Sequence, residues 1–278
     1  MSPLAYGRAL VTIIFLSLLI RVPCSRESSI INEKIISMGI KKIIAIASAK
    51  GGVGKSTICA NLAYSFAKDH SVGILDADIY GPNQHLIFNI EKLKPDVVEV
   101  EGKKKFIPLS AGNIAINSMG FILDAAMAAM WRGPMLSGAI KQLMDSTEWG
   151  DLDYLFIDMP PGTGDAYITV AQDLKPDYAI LVTTESPLAI KDTIKSKAVF
   201  TKLNIPILGY INNMSSSVCP HCSEPLEENP SLGGLDVEGA MDLPHLGSIP
   251  RTNDILNFRL EESTILFVST YNALKNIL

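Results

Sequence analysis

A basic surface is what this chain most plainly lacks. Its 24 lysines and arginines are outnumbered by 29 acids, for a formal charge of −5, whereas proteins that neutralise many nucleic-acid phosphates present a basic face. Nucleic acid is therefore not an expected partner. The single basic cluster, Lys103-Lys104-Lys105, reads as a hairpin tip or a solvated loop. Long apolar runs are also missing. Ala9 to Ile20 is a run of twelve broken by Thr12 and Ser17, while a membrane span needs about 20 residues, so stable membrane association is not expected. No internal repeat and no low-complexity tract is present. Cysteine is scarce, with four in 278 residues, and so few thiols fit a reducing compartment, cytosol or organelle matrix, better than an oxidising one.

What is there begins with size. A chain of 278 residues with 47% apolar content suits one large α/β domain with a sizeable core and a short appendage. The appendage is residues 1–37, with the domain at 38–278. Arg8 and Arg21 flank the apolar run, and no acid precedes Glu27. That pattern fits an organellar presequence, a secretory leader, an extension upstream of a start at Met38, or an N-terminal helix packed on the domain. The expected location is cytoplasmic or, with a presequence, the mitochondrial matrix.

From Ile40 onward short apolar runs alternate with helical ones, as in a doubly wound, mostly parallel sheet. The clearest strands are Ile43 to Ala47, Val72 to Leu75, Tyr154 to Ile157, Tyr178 to Thr183 and Ile207 to Ile211. Ligands in such sheets bind beyond the carboxyl ends of the strands, and there the chemistry-bearing residues collect.

After the first strand comes Ala49-Lys50-Gly51-Gly52-Val53-Gly54-Lys55-Ser56-Thr57, and Thr57 to Lys68 then carries apolar residues at helical spacing. Glycines at a strand-to-helix turn aim backbone N–H groups at an anion, which marks a phosphate-binding loop. Lys55 is expected on the β- and γ-phosphates, the Ser56 hydroxyl on Mg²⁺ and Thr57 at the α-phosphate. Ala49 stands where a plain phosphate loop has its first glycine, which restricts the first bend.

The second strand ends in Asp76-Ala77-Asp78-Ile79-Tyr80-Gly81-Pro82-Asn83. Carboxylates at i and i+2 of an extended segment face one site, so Asp78 is expected to orient the attacking water and Asp76 to meet the Mg²⁺ shell through a water. Tyr154-Leu155-Phe156-Ile157-Asp158 is an apolar strand closed by one carboxylate, the form in which such folds hold Mg²⁺ near the β/γ oxygens. Met159 to Asp165 follows, with two prolines and two glycines, and is expected to distinguish ATP from ADP.

Lys50 before Gly51-Gly52 gives K-G-G-x-G-K-[ST], which resembles the deviant Walker A motif of MinD, ParA and Mrp ATPases. Together with D-A-D-I-Y-G-P, Trp131 to Pro134 (W-R-G-P), D-x-P-P-G-T-G-D, Asn213 to Ser215 (N-M-S) and C-P-x-C, it makes the chain similar to the Mrp/ApbC iron–sulfur cluster carrier ATPases from about Ile40 to Asn257. The resemblance implies that Lys50 reaches a partner's phosphates across a nucleotide-sandwich homodimer. It implies that Asn213 binds adenine, with a weaker match for an adenine-side loop at Pro250 and Arg251. The family usually has an acid where this chain has Asn212, a longer glycine-rich stretch where it has Gly233-Gly234, and, in bacterial forms, an accessory domain larger than Met1 to Ile40.

Cys219 and Cys222, in C-P-H-C, can bind one metal centre. A [4Fe–4S] cluster commonly takes four cysteines, so two symmetry-related pairs in a homodimer would hold it, the dimer that Lys50 implies. A zinc site shared by the dimer and a redox disulfide stay open. Cys59 reads as a small core residue, Cys24 belongs to the leader, and His221 is given no role. The expected function is an ATP-hydrolysing carrier delivering clusters to apo iron–sulfur proteins. The alternatives are a MinD/ParA-type positioning ATPase, for which Ile265 to Leu278 is apolar enough to act as a membrane helix, and a regulatory nucleotide switch without metal.

Overall fold

The computed structural model describes residues 39–100, 102–122, 133–218, 225–226 and 237–278. The N-terminal leader, Trp131, Arg132, Cys24 and the pair Cys219/Cys222 lie outside the described residues. In chain order the elements are β1 (Ile40–Ala47), α1 (Lys55–Phe66), β2 (Val72–Asp76), α2 (Gln84–Ile87), β3 (Val97–Val100), β4 (Lys103–Phe106), β5 (Leu109–Ala111) and β6 (Ile114–Ser118). Next come α3 (Gly133–Asp145), β7 (Leu152–Asp158), α4 (Asp165–Leu174), β8 (Tyr178–Thr183), α5 (Pro187–Lys202) and β9 (Ile207–Val218). The chain closes with β10 (Pro225–Leu226), α6 (Val237–Met241), β11 (His245–Arg251), α7 (Asn253–Leu256), α8 (Leu260–Ser263) and α9 (Val268–Ile277).

One nine-stranded sheet runs β10-β9-β8-β1-β7-β2-β6-β5, with β11 on β9. Among the described residues of this sheet only the edge strands β5 and β10 pair antiparallel, and β3 and β4 form a separate antiparallel pair. Helices cover both faces, the doubly wound α/β arrangement that the alternating pattern predicts. Residues of β1 show why. Ile44 and Ile46 point to the face covered by Ile58, Cys59, Leu62 and Phe66 of α1. Ala45 and Ala47 point to the opposite face, among Leu136 and Ile140 of α3 and Tyr167 and Val170 of α4. A strand buried on both sides needs apolar residues at every position, and side chains alternate between faces with period two.

All five expected strands form. The longest, β9, extends beyond the expected Ile211 because β11 pairs with it through Ser217. The expected helix from Thr57 begins two residues earlier, at Lys55, because the phosphate loop itself makes the helix N-terminus. Lys103 to Lys105 form β4, paired with β3 across Glu99 and Lys104, so the basic cluster lies in a hairpin strand rather than at its tip. At the C-terminus, Phe267, Thr270 and Leu274 are buried, packing in the α1-side core. The segment considered for membrane binding is thus divided: Phe267 and Leu274 are used inside the fold, while Ile265, Val268 and Ile277 are exposed. Among the described residues no helix is long and apolar enough to cross a membrane.

Strand order positions the site. β7 lies between β1 and β2, in a register that sets Asp158 beside Ile46 of β1 and Asp76 of β2. Three parallel strands therefore deliver the phosphate loop, D-x-D and the Asp158 carboxylate to one end of the sheet.

Candidate functional site

The phosphate loop turns through left-handed backbone at Gly52 (φ 82°) and Gly54 (φ 85°), a region costly for residues with a Cβ. At Gly54 a Cβ would also collide with the Asn213 side-chain amide. That amide donates to the Val53 carbonyl at 2.8 Å, so β9 braces the loop from beneath. Ser48 holds the entry to the loop. Its hydroxyl accepts from the Lys50 N–H at 3.3 Å and donates to the Lys50 carbonyl at 3.2 Å.

Lys55 opens α1 with its ammonium inside the molecule, 2.7 Å from Asp158 Oδ1 and 3.8 Å from Asp78 Oδ2. Burial alone would lower its pKa, but the Asp158 and Asp78 charges outweigh burial and hold the ammonium above its ordinary value. Burial raises the Asp78 carboxyl while Lys55 pulls it down. Asp76 is raised by burial and then by the Asp158 charge alongside. One buried cation thus faces three buried carboxylates. Such a cluster calls for further positive charge, because unpaired buried charge is costly.

The two carboxylates of D-x-D do different jobs. Asp78 lines the cavity, and its Oδ1 accepts from the Gly81 N–H at 3.1 Å. Asp76, expected to meet the magnesium shell through a water, is bonded to the protein through both of its oxygens. Its Oδ2 accepts from Ser118 Oγ at 3.0 Å and from the N–H groups of Asn83 and Gln84 at 3.0 and 3.1 Å, while Oδ1 accepts from the Asp78 N–H at 3.2 Å. Asp76 is fully buried, away from the cavity. It shapes the turn that presents Asp78.

A cavity of about 530 Å³ opens in front of the loop, within the usual size range for small-molecule sites. Lys50, Gly51, Gly52, Gly54, Lys55, Ser56 and Thr57 form one wall, and Asp78, Tyr80, Gly81, Asn83 and Ile87 another. Pro161, from the loop expected to sense the γ-phosphate, and Phe258 complete it. Ala49, Val53 and Asn213 are not part of this lining. Asn213, expected at adenine, is buried beneath the loop with its amide bonded to the Val53 carbonyl.

Sequence reading missed Gln84. Fully buried, it donates from Nε2 to Asp158 Oδ2 at 2.8 Å and to the Ser56 carbonyl at 3.0 Å. It joins the carboxylate strand to the loop residue expected on magnesium. Nothing local in N-Q-H-L announces this, because the contacts are with residues 28 and 74 positions away. Phe258 was missed for the same reason. At position 212, where the resemblance expects an acid, Asn212 Nδ2 donates to Glu185 Oε1 at 3.2 Å, so a carboxylate stands beside that position from the loop after β8.

The donor set fits magnesium. Mg²⁺ prefers oxygen ligands and is usually held by one or two carboxylates together with substrate phosphates; Ser56 and Asp158 offer such oxygens. Among the described residues no group of three or more His, Cys, Asp or Glu is arranged to hold a metal alone. Cys59 is buried, and burial raises its thiol pKa well above the ordinary value, so it is a core residue.

The ParA family model described as "NUBPL iron-transfer P-loop NTPase" matches residues 39–277. This chain belongs to that family. The NUBPL-type relatives include an iron-sulfur cluster carrier protein of Pseudomonas fragi, 44% identical over 78% of this chain and 75% of its own length. Another is the mitochondrial "iron-sulfur protein required for NADH dehydrogenase" of Arabidopsis thaliana, 41% identical over 76% of this chain and 67% of its own. Among solved structures, a nucleotide-binding protein of Archaeoglobus fulgidus in complex with ADP superposes with a TM-score of 0.66 at 34% identity, covering 84% of this chain and 89% of that one. MinD of Pyrococcus horikoshii has a TM-score of 0.63 over 85% of this chain and 97% of its own, at 23% identity, a likeness of fold alone. This NUBPL-type chain is a P-loop NTPase whose phosphate loop, D-x-D turn and Asp158 meet at one end of a parallel sheet.

Proposed function

We propose that this chain binds and hydrolyses ATP with Mg²⁺ and, as a homodimer, carries an iron–sulfur cluster to apo iron–sulfur proteins. The observation that carries the ATPase part is the convergence of Asp158 and Asp78, at 2.7 and 3.8 Å, on the Lys55 ammonium at the mouth of a phosphate loop. Family membership and the relatives' names support the carrier part. With nucleotide bound, Lys55 would meet the β- and γ-phosphates, and Asp158 and Ser56 would hold magnesium. Magnesium, when bound, supplies charge neutralisation at those phosphates. Asp78 orients the attacking water, Lys50 reaches the partner's phosphates, and the loop from Met159 to Asp165 follows the γ-phosphate. Asn213 is assigned to adenine, its amide keeping a second N–H and Oδ1 beyond the bond to Val53.

The cargo is held by Cys219 and Cys222, two cysteines from each protomer completing a [4Fe–4S] site. β9 supports a physical link between the two chemistries. It contacts the phosphate loop through Asn213 and ends at Val218, the residue before Cys219. A change in the loop on hydrolysis therefore has a short covalent path to the cluster ligands. The mitochondrial relative supports an organellar matrix as the site of action.

Anaerobic reconstitution with iron and sulfide tests the reading. The expected result is a broad absorbance near ~400 nm and about four irons per dimer, absent in Cys219→Ala, with the cluster passed on to an apoprotein. A colourless or zinc-containing dimer would overturn the carrier role and favour a nucleotide switch.

A further inference from the structure

Phe258 stands where the backbone asks for glycine. It follows α7 in the left-handed region, at φ 55°, and two bonds close the turn around it. The Phe258 N–H donates to the Ile255 carbonyl at 3.3 Å, and the Arg259 N–H donates to the Asp254 carbonyl at 2.8 Å. Helix ends with this pattern usually take glycine at that position, because a Cβ there is strained. Arg259 and Asp254 also pair through their side chains at 3.4 Å, so the turn is held by its backbone and charges and does not depend on the phenyl ring. Phe258 belongs to neither apolar core. It is 42% exposed, and among the described non-glycine residues with positive φ it alone lines the cavity in front of the phosphate loop. Strained backbone of this kind clusters at ligand sites.

Its place in the cavity follows from α1. Asn61 Nδ2 donates to the Thr57 carbonyl at 2.9 Å, and Asn61 Oδ1 accepts from the buried Ser263 hydroxyl of α8. Residues four apart share a helix face, so α8 packs on the face of α1 that Thr57 begins, and Phe258 comes just before α8. Gln84 and the carboxylates reach α1 instead at Ser56 and Lys55. The cavity therefore has two sides. Lys55, Ser56 and Asp78 stand on the side of the terminal phosphates, and Thr57 and Phe258 stand on the other, where the α-phosphate leads to the nucleoside. A partly exposed phenyl ring is a surface on which a flat aromatic base stacks.

We propose that Phe258 is a binding residue for the base of the nucleotide, stacking on it from the turn between α7 and α8. The proposal rests on the reading that the cavity takes a nucleotide, and it adds a contact beyond Asn213 and the loop at Pro250 and Arg251. Stacking uses the face of the ring, so Phe258 supplies affinity for the nucleoside and none for the phosphates.

Calorimetric titration of the full-length protein with ADP and with pyrophosphate, each in excess magnesium, tests it. Phe258→Gly suits the left-handed turn and removes the ring; it should weaken ADP binding about tenfold and leave pyrophosphate binding as in wild type. Phe258→Trp keeps an aromatic face; it should hold ADP as tightly as wild type, and its added fluorescence should be quenched by ADP but not by pyrophosphate. Unchanged ADP affinity in Phe258→Gly would overturn the proposal, and so would an equal loss of ADP and pyrophosphate, which a merely structural role predicts. If Phe258→Gly does not fold, the fluorescence of Phe258→Trp decides alone. Wild-type protein that binds neither ligand would sink the nucleotide reading itself, whereas normal wild-type binding of ADP with both variants silent would sink only this one.

Discussion

Two lysine–aspartate pairs sit at opposite ends of the strand pair β1 and β7, and both measure 2.7 Å. Lys41 and Asp153 meet at the amino end, where the side chains are 75% and 25% exposed. Lys55 and Asp158 meet at the carboxyl end, at 6% and 0%. Equal distance hides unequal physics. Water screens the first pair, so it contributes little. The second has lost its hydration, and each partner depends on the other. The outer pair trims a strand edge, while the inner pair buries opposite charges behind the phosphate loop.

Removing one member of each pair should separate them. Lys55→Ala leaves Asp76, Asp78 and Asp158 facing one another and should lower unfolding free energy by about 3–5 kcal/mol at neutral pH, measured by urea denaturation, with loss of nucleotide binding. The deficit should shrink on mild acidification. Carboxyls raised above their ordinary values, as Asp76 and Asp78 are, bind protons in the native state that the unfolded chain releases at the same pH. Their effect on stability is therefore unfavourable as pH rises and eases as pH falls. A deficit independent of pH would contradict the clustered-carboxylate account.

Gly54→Ala should come next, at about 2–3 kcal/mol: left-handed backbone costs an alanine about 1–2 kcal/mol, and the crowded Asn213 amide should lose its bond to Val53, worth about 1 kcal/mol. Thermal melting and nucleotide titration should both respond. Stability within ~0.5 kcal/mol of wild type would show that β9 does not brace the loop.

Asp153→Asn should have the smallest effect, about 0.5–1 kcal/mol after solvent screening. Lys41 chiefly, and then the Ser71 N–H and hydroxyl, hold the Asp153 carboxyl well below its ordinary value. A depressed carboxyl stabilises the fold above its unfolded pKa, and that contribution is lost as pH falls through the folded value. Wild type and variant should therefore converge in strong acid. Double-mutant cycles sharpen the contrast further, with coupling for Lys55/Asp158 exceeding that for Lys41/Asp153.

Much of this molecule was legible beforehand, because its signals are local. A strand buried on both faces must be apolar throughout, as Ile43 to Ala47 is, and a phosphate loop must place glycines at its turn. Lys55, Ser56 and Asp158 could be named from such rules. Asp76 could be found but not understood. D-x-D spacing puts two carboxylates near one site, but only the position of Ser118 on β6 and the start of α2 shows that Asp76 faces inward as a structural acceptor. Asn213 is similar: its motif is visible, whereas its contact with Val53, 160 residues away, is not.

The sequence by itself determined the alternation of strands and helices, the phosphate loop and the carboxylates, because periodicity, glycine geometry and strand-end acids act over a few residues. The tertiary structure alone decided that β7 inserts between β1 and β2, so that Asp158 meets Lys55 and stands beside Asp76. It also decided that Gln84 closes the link between Asp158 and the loop. Strand order and buried polar pairing arise from packing between distant segments, where each group's partner depends on what the whole sheet brings alongside it.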